Sequence, residues 1–438
     1  MKQICRLRIE KLTYQGYGLG FKDSIPVFVL NAVPGDLLDV QVMQQRGKVL
    51  FGAIERIIEP SENRIEPHCE AFGKCGGCDW LNLEYHRQLE VKDQLLKEIF
   101  RNITIRETRQ IIASPRQFHY RNKSFFPIST YGGEPVIGMF ARKSHKVIAH
   151  GRCRLHPPLY DEIIAAVTAY LKASHTEVYD EVTGKGTARH LGLRFSETNN
   201  ELIVVVVTKS RKLPFSNQLT GILIRKYPQI VGIVQNINPH KTNVILGRED
   251  KILFGRDHIF EQIGPKRFKL NYQSFFQINS EIAEKMYEFV KSAAKDSRHV
   301  LDAYCGVGSI GIYAADGAKS VLGIESNERA VADARANALL NNQQNCRFLT
   351  GKVEDVLPRL TESFDTVIFD PPRQGLDDTT IAAIPSSTTK IIYISCDPAT
   401  QQRDVVKLAG MGFEAVLMQP FDMFPNTFHI ENVIVLER

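Results

Sequence analysis

The sequence predicts an α/β protein of three domains, with a doubly wound parallel sheet in its C-terminal part. Residues 259–438 alternate apolar strand segments with helical segments, the pattern of a parallel sheet covered by helices on both faces. Residues 1–59 contain short strands cut by turns, and residues 60–258 mix strands with helices. A chain of 438 residues is long enough for each domain to bury its own core.

Composition restricts the class of protein. Hydrophobic residues make up 43% and charged residues 24%, and no apolar run reaches the roughly 18 residues that span a bilayer. The first residues, MKQICRLRIEKL, carry charges where a secretion signal would be apolar, so we expect a cytoplasmic protein that is not integral to a membrane. A net charge of +6 permits binding to a polyanion but does not require it.

Residues 1–59 are predicted to form a small β-barrel of the oligonucleotide-binding type. Five strand segments, with a glycine cluster and a PGD turn between them, have the spacing of such a barrel. The stretches GYGLG, VFVLNAVPGD and EPSENRIEPHC also resemble the TRAM domain, an RNA-binding module of RNA-modifying enzymes. We expect this domain to add RNA affinity from outside the catalytic domain, through Arg6, Arg8, Lys11, Tyr14 and Tyr17. The alternative is a barrel without a ligand.

Residues 60–258 are predicted to form an α+β middle domain. An amphipathic helix is expected at about 83–100, a second helix at 159–173 and a strand at 202–207. No internal repeat or low-complexity tract interrupts this region.

Four cysteines of the middle domain have the spacing of a metal or cluster site. The pattern CxxxxxCGGC contains three of them, and a fourth follows in the segment HKVIAHGRCRLH; they are Cys69, Cys75, Cys78 and Cys153. In a chain without an export signal, such a group indicates metal binding or catalysis rather than disulfides. Spacing does not distinguish zinc from an iron-sulfur cluster. The alternative is four ordinary buried cysteines.

The segment LDAYCGVGSIG (301–311) predicts a nucleotide-type cofactor site. Its glycines follow a predicted strand and open a helix, so the backbone can turn tightly beside a ligand. Glu325 ends the next strand, where a carboxylate can accept hydrogen bonds from ribose hydroxyls. The glycine pattern alone would also suit an NAD-dependent oxidoreductase.

Two later motifs favour a different chemistry. TVIFDPPRQG places Asp370 at the end of one strand, and KIIYISCDPAT places Cys396 at the end of the next, so both open on the cofactor crevice. DPP resembles the motif of methyltransferases that act on amino groups, but those have an aromatic residue where Arg373 stands here. This difference disfavours methylation of an amino group.

A thiol beside a general base is the pair that methylation at carbon 5 of a uracil requires. Addition of a thiolate to carbon 6 makes carbon 5 nucleophilic, and after methyl transfer a base removes the proton on carbon 5. Cys396 can supply the thiol, and the C-terminal segment offers Glu431 as the base, with His429 as a second candidate. The alternatives are a buried core thiol at 396 and a solvated strand charge at 431.

Together these motifs resemble the RNA uridine-5 methyltransferases, in particular the branch with a TRAM domain and an iron-sulfur cluster that acts on 23S ribosomal RNA. The resemblance covers nearly the whole chain and rests on the cysteine pattern and on NPHKTNVILG, SFFQIN, DAYCGVGS, DPPRQG, SCDPAT and QPFDMFPNTFHIE. It implies a Rossmann-like domain dependent on S-adenosylmethionine in 259–438, a TRAM barrel in 1–59 and a cluster-bearing middle domain in 60–258.

The resemblance also implies roles for single residues. A [4Fe-4S] cluster would be held by Cys69, Cys75, Cys78 and Cys153. S-adenosylmethionine would be contacted by Gln277, Tyr304, Glu325 and Asp370. Cys396 would be the nucleophile and Glu431 the base. Ser309 and Lys352 stand where some members have asparagine, so we expect no such cofactor contact from them.

The expected substrate is a uridine of 23S ribosomal RNA. The runner-up is the tRNA branch of the family, which methylates the T-loop uridine and whose best-known bacterial members lack the barrel and the cluster. No obligate protein partner is evident, and we expect a monomer.

Overall fold

The structure is a computed structural model that describes residues 4–149 and 151–438. Residues 1–3 of the predicted barrel, and His150 in the segment before Cys153, lie outside the described residues.

The N-terminal β-domain comprises residues 4–59. Its described strands are β1 (Ile4–Arg8), β2 (Lys11–Leu12), β3 (Gly18–Lys22), β4 (Ile25–Val29), β5 (Leu37–Arg46) and β6 (Val49–Glu59). They form one sheet in the order β1-β5-β6-β4-β3-β2. The predicted first strand, CRLRIEKL, is divided into β1 and β2 because β1 pairs with β5 whereas β2 pairs with β3. Side chains alternate along β1, so that Cys5 and Leu7 enter the domain core.

The middle of the chain combines strands and helices, as predicted. Its elements are α1 (Tyr85–Ile99), β7 (Ile105–Thr108), β8 (Lys123–Tyr131), β9 (Glu134–Ile137), β10 (Met139–Phe140), β11 (Val147–Ile148), α2 (Pro158–Ala173), β12 (Ala188–Ser196), β13 (Glu201–Thr208), α3 (Ser216–Lys226), β14 (Ile230–Ile237) and β15 (Glu249–Gly255). Most of these strands form a sheet in the order β15-β14-β13-β12-β8-β9.

The apolar run of β13 is explained by burial on both faces of this middle sheet. Leu202, Val204 and Val206 pack into the core beneath α2 and α3, whereas Ile203 and Val205 pack into the core shared with the C-terminal domain. A strand covered on both sides has no solvent face and therefore shows no alternation in its sequence.

The C-terminal domain alternates strands and helices. Its elements are β16 (His258–Ile263), β17 (Lys266–Asn271), α4 (Ser280–Ala293), β18 (His299–Ala303), α5 (Ser309–Ala314), β19 (Ser320–Glu325), α6 (Glu328–Leu340), β20 (Cys346–Thr350), α7 (Val353–Val356), a 3-10 turn (Leu357–Arg359), β21 (Thr366–Phe369), α8 (Asp378–Ala382), β22 (Lys390–Ser395), α9 (Pro398–Ala409), β23 (Glu414–Phe421) and β24 (Glu431–Glu437).

The sheet of this domain has the order β20-β19-β18-β21-β22-β24-β23-β7. The strands from β20 to β22 are parallel, so their carboxyl ends meet at one edge. β24 is antiparallel to both of its neighbours. The N-terminus of β24 therefore lies at the same edge as the C-terminus of β22, and this edge is where the candidate site forms.

The structure differs from the predicted middle domain in one respect. β7 pairs in parallel with β23, and α1 packs into the same hydrophobic core as α9, so both elements extend the C-terminal domain. The reason is that the exposed edge of β23 is available for pairing and the apolar side of α1 fits the uncovered face of the sheet. Within 4–149 and 151–438, no helix is long and apolar enough to cross a membrane.

Candidate active site

Cys396 lies immediately after β22 at the start of α9. The neighbouring backbone is held by hydrogen bonds: the Asp397 N–H donates to Ser395 Oγ over 3.1 Å, and the Asp397 carboxylate accepts from the amides of Ala399 and Thr400 at 3.1 and 3.2 Å. Asp397 thus caps the helix. This arrangement leaves the thiol of Cys396 half-buried at the sheet edge.

Glu431 approaches Cys396 from the neighbouring strand. Ser395 pairs with Asn432 in the antiparallel register of β22 and β24, so the next position along brings Cys396 opposite Glu431. Glu431 is 2% exposed. Burial raises the pKa of Glu431 well above its usual range, and the charge of Asp370 raises it further, whereas Arg373 lowers it. The two residues predicted to act together are therefore neighbours.

Asp370 completes a pair of carboxyl groups at this edge. It follows β21, the strand beside β22. Burial raises the pKa of Asp370 to about 7. Because Asp370 and Glu431 repel each other when both are ionised, one proton is favoured on the pair near neutral pH.

Arg373 is the cation of the site, and the sequence-based prediction assigned it no role there. Its charge lowers the pKa values of both Cys396 and Glu431. Burial and the charge of Glu431 nevertheless raise the pKa of the Cys396 thiol to about 12. A guanidinium beside a thiol favours the thiolate, which is the reactive form. The position of Arg373, directly after the DPP motif, was the available signal.

His429, the second candidate base, is a poor proton acceptor here. Burial and the charge of Arg373 lower the pKa of His429 to about 4. The imidazole is therefore neutral at pH 7, and its ring packs 4.2 Å from that of Phe428.

The loop 422–430, which leads into Glu431, is held by α1. Lys92 Nζ donates to Asp422 Oδ1 over 2.5 Å, and both side chains are fully buried. Tyr85 donates its hydroxyl proton to the other oxygen of Asp422 over 2.7 Å. The amide of Asn426 donates to Gln88 Oε1 over 2.9 Å. The sequence does not predict these contacts, because Gln88 and Lys92 have the polarity of exposed positions on a middle-domain helix.

The glycine segment after β18 takes the expected conformation. Gly306 and Gly308 have positive φ angles of 55° and 78°, which a residue with a Cβ adopts only at a cost. The Gly306 amide donates to Glu325 Oε2 over 3.2 Å, and the Asn327 amide donates to Glu325 Oε1 over 2.7 Å. Glu325 is thereby held at the end of β19, beside the turn.

Two further residues were predicted to contact the cofactor. Tyr304, just before the glycine turn, also has a positive φ, of 66°. Gln277 is buried, and its carbonyl accepts from Asn122 over 3.1 Å. Ser309 is buried and donates to Tyr287 over 3.2 Å, whereas Lys352 is exposed, 3.8 Å from Glu354.

The four cysteines of the middle region lie near one another. Burial raises the pKa of Cys78, and the charges of Cys153, Cys75 and Cys69 raise it further. The Gly77 amide donates to Cys75 Sγ over 3.4 Å. Among the described residues, no group of three or more His, Cys, Asp or Glu side chains is arranged so that it could hold a metal ion. The structure thus gathers the predicted ligands without arranging them around a metal.

The aromatic and basic residues expected to bind RNA from the N-terminal β-domain are largely engaged within the protein. Arg6, Arg8 and Lys11 form ion pairs with Asp39, Glu59 and Glu98. Tyr17 is buried. Tyr14 packs against Phe428 of the loop 422–430, so this residue of the N-terminal β-domain contacts the C-terminal domain. The cause is the turn 13–17, which projects from the domain toward the sheet edge.

Known proteins resemble this chain over nearly its whole length. The family model described as tRNA (uracil-5-)-methyltransferase matches residues 84–438. An uncharacterized RNA methyltransferase of Listeria monocytogenes serovar 1/2a is 38% identical, over 99% of this chain and 97% of its own. Another from Clostridium tetani is 34% identical, over 98% and 95%.

A solved structure also resembles the whole fold. The crystal structure of the Pyrococcus abyssi tRNA (uracil-54, C5)-methyltransferase in complex with S-adenosyl-L-homocysteine matches with a TM-score of 0.80 and 28% identity, covering 99% of this chain and 100% of that chain. The α/β methyltransferase fold is therefore confirmed, and the NAD-dependent oxidoreductase gains no support. The chain belongs to the tRNA (uracil-5-)-methyltransferase family, whose members are S-adenosylmethionine-dependent RNA methyltransferases.

Proposed function

We propose that the protein methylates carbon 5 of a uridine in RNA through a covalent bond between Cys396 and carbon 6 of the base. The observation that carries this proposal is the register of β22 and β24, which places Cys396 opposite Glu431 at the sheet edge where the cofactor residues also lie. A thiol and a carboxyl on the same side of a substrate are the two groups that this reaction needs.

The reaction assigns a separate task to each side chain. The Cys396 thiolate adds to carbon 6 of the uracil, and the electron pair of the ring double bond passes to carbon 5 and its carbonyl. The positive charge of Arg373 lowers the pKa of Cys396 and thereby favours the thiolate. S-adenosylmethionine, when bound, supplies the methyl group. The Glu431 carboxylate then takes the proton from carbon 5, the double bond re-forms, and the bond between Cys396 and carbon 6 breaks.

The cofactor residues suit an adenosine-containing methyl donor. Glu325 has a carboxylate at the strand end, which suits ribose hydroxyls, and the adjacent glycine turn admits close approach. Gln277, Tyr304 and Asp370 would contact the remainder of the molecule.

The four cysteines would hold a [4Fe-4S] cluster. The four cysteines lie near one another, and the Gly77 N–H aimed at Cys75 is the kind of donor that cluster sulfurs attract. The proposed reaction is redox-neutral and needs no electron, so the cluster would have a structural or RNA-orienting role. Protein purified without oxygen should be brown and contain about four iron atoms per chain. Zinc in place of iron would contradict this assignment.

The proposed RNA substrate is 23S ribosomal RNA. We also propose that the enzyme acts in the cytoplasm and that it is a monomer. The support for this substrate is the resemblance of the sequence motifs to the branch of the family that acts on 23S ribosomal RNA. The competing candidate is tRNA, which the Pyrococcus abyssi relative modifies at uracil 54 according to its description.

Mapping 5-methyluridine in total RNA from cells with and without the gene tests the proposal. Loss of one or more 5-methyluridines from 23S ribosomal RNA supports it fully. Loss from the tRNA T-loop alone would keep the chemistry and change the substrate. Unchanged 5-methyluridine in every RNA, together with no transfer of labelled methyl groups by the purified enzyme, would refute the proposed function.

A further inference from the structure

A turn of the N-terminal β-domain reaches the catalytic loop. The ring of Tyr14 meets the ring of Phe428 edge to face, with 6.1 Å between centroids. Gly16, in the same turn, has a φ of 81°, and a Cβ added there would lie 2.9 Å from Cδ1 of Phe428. A glycine is therefore required for the turn to approach this closely.

Contacts from the middle of the chain hold the turn in place. Arg142 donates to the Gln15 carbonyl over 2.7 Å and pairs with Asp79 over 2.5 Å. Its guanidinium also lies 5.2 Å from the centre of the Tyr17 ring. The Asp79 amide donates to the Asn426 carbonyl over 2.9 Å. Asp79, the partner of Arg142, is therefore also bonded to the loop 422–430. The position of Tyr14 is thus determined from both sides.

Tyr14 lies close to the reacting cysteine. Its side chain lies near Cys396 and near Asp397, the residue that follows it, because the charges of both act on the Tyr14 hydroxyl. Burial, the charge of Asp397 and the charge of Cys396 all raise the pKa of Tyr14. The side chain is only half-buried, so part of its ring is accessible. With Phe428 and His429, whose rings lie 4.2 Å apart, it forms a continuous aromatic surface beside the thiol.

We propose that Tyr14 is a substrate-positioning residue: its ring packs against an unstacked nucleobase of the RNA while Cys396 reacts. This inference rests on the proposed function. A base that leaves its stack loses contact with its neighbours, and aromatic side chains restore that contact whatever the base. The N-terminal β-domain then helps to orient the base for attack, in addition to any affinity for the RNA chain.

Three variants separate this role from a structural one. Tyr14→Phe keeps the ring and loses the hydroxyl, Tyr14→Leu loses the ring, and Tyr131→Leu removes a tyrosine that is 81% exposed on β8. The substrates are tRNA and 23S ribosomal RNA transcripts made with 5-fluorouridine. After methyl transfer, fluorine leaves no proton for the base to remove, so the adduct accumulates and its rate of formation can be measured.

We expect Tyr14→Leu to form adduct about tenfold more slowly than wild type at saturating RNA, with Tyr14→Phe within threefold and Tyr131→Leu unchanged. Affinity for S-adenosylmethionine and the melting temperature should stay the same in all three. The inference is overturned if Tyr14→Leu forms adduct as fast as Tyr14→Phe, or if both variants are slow. It is also overturned if Tyr14→Leu loses affinity for S-adenosylmethionine. If the wild type forms no adduct with either transcript, the proposed function fails instead.

Discussion

The charges around Cys396 decide how the thiol can react. Burial raises the pKa of Cys396 most, the charges of Glu431 and Asp370 raise it further, and the charge of Arg373 lowers it. With a pKa of about 12, the thiol of the protein without substrate is protonated at neutral pH.

Replacement of Cys396 and replacement of Glu431 should block the reaction at different steps. Cys396→Ala should neither methylate RNA nor attach to it, because no bond to carbon 6 can form. Glu431→Gln keeps the volume and loses the base, so addition and methyl transfer proceed while proton removal stalls. A methylated RNA adduct should then be visible on a denaturing gel with label from both substrates. Normal turnover by Glu431→Gln would place the base elsewhere, even though the low pKa of His429 argues against that residue.

Adduct formation should accelerate with pH. Below the thiol pKa of about 12, the thiolate fraction rises roughly tenfold per pH unit, so the single-turnover rate should climb between pH 6 and 9. Arg373→Gln removes the charge that lowers this pKa, so the pKa rises and the rate at each pH should fall by about tenfold with the slope retained. Arg359→Gln, a matched control at the end of the 3-10 turn, should leave the profile unchanged. An equal rate in Arg373→Gln at all pH values would show that this guanidinium does not act on the thiol.

At the level of elements, α1 holds the loop 422–430 in place. Its inward side buries Gln88 and Lys92 beside Leu95 and Leu96, so that polar side chains stand within an apolar surface. Each of these polar groups has a partner in 422–430. Buried polar groups with full partners specify one arrangement of a loop, because any other leaves them unpaired.

Breaking the buried ion pair should destabilise the protein. Lys92→Met leaves the Asp422 carboxylate buried without its cation, which should lower the free energy of unfolding by about 3–5 kcal/mol. Urea denaturation measures this change. The matched control is Lys97→Met on the exposed side of the same helix, which should change the stability by less than about 0.5 kcal/mol. Equal stabilities of the two variants would show that the pair does not hold the loop.

The whole molecule shares its cores between regions that are distant in sequence. Leu12 and Val33 of the N-terminal β-domain and Trp80 pack in the same core as Phe369 and Tyr393 of the catalytic sheet. The other face of that sheet shares its core with β13 of the middle sheet. The three regions therefore depend on each other for burial of apolar surface.

Truncation of a side chain that the N-terminal β-domain contributes to this shared core should lower the stability of the C-terminal domain. Leu12→Ala should lower the free energy of unfolding by about 2–5 kcal/mol, because Leu12 is fully packed. Trp80 is the single tryptophan, so its fluorescence reports unfolding of this core, and methyltransferase activity should be lost at the same urea concentration. Ile4→Ala, at a position that is 50% exposed, is the control and should have little effect. If activity survived the loss of the Trp80 signal, the regions would fold independently.

The sequence by itself determined the α/β class and the strand ends that carry Asp370, Cys396 and Glu325. Alternation of strand and helix is a local signal, and in a parallel sheet it brings the motifs that follow successive strands to one edge. The family also followed from local motifs. The roles of the cofactor residues and of the four cysteines were implied by resemblance and stay predictions.

Only the tertiary structure decided which distant residues surround the thiol. The antiparallel register of β22 and β24 places Glu431 opposite Cys396, and the turn 13–17 brings Tyr14 to Phe428, more than 400 positions along the chain. The sequence predicted α1 as part of the middle domain, whereas in the structure α1 packs into the core of the C-terminal domain and bonds to the loop 422–430. Periodicity along a chain reports which side of an element is apolar, but it carries no information about which distant element covers that side.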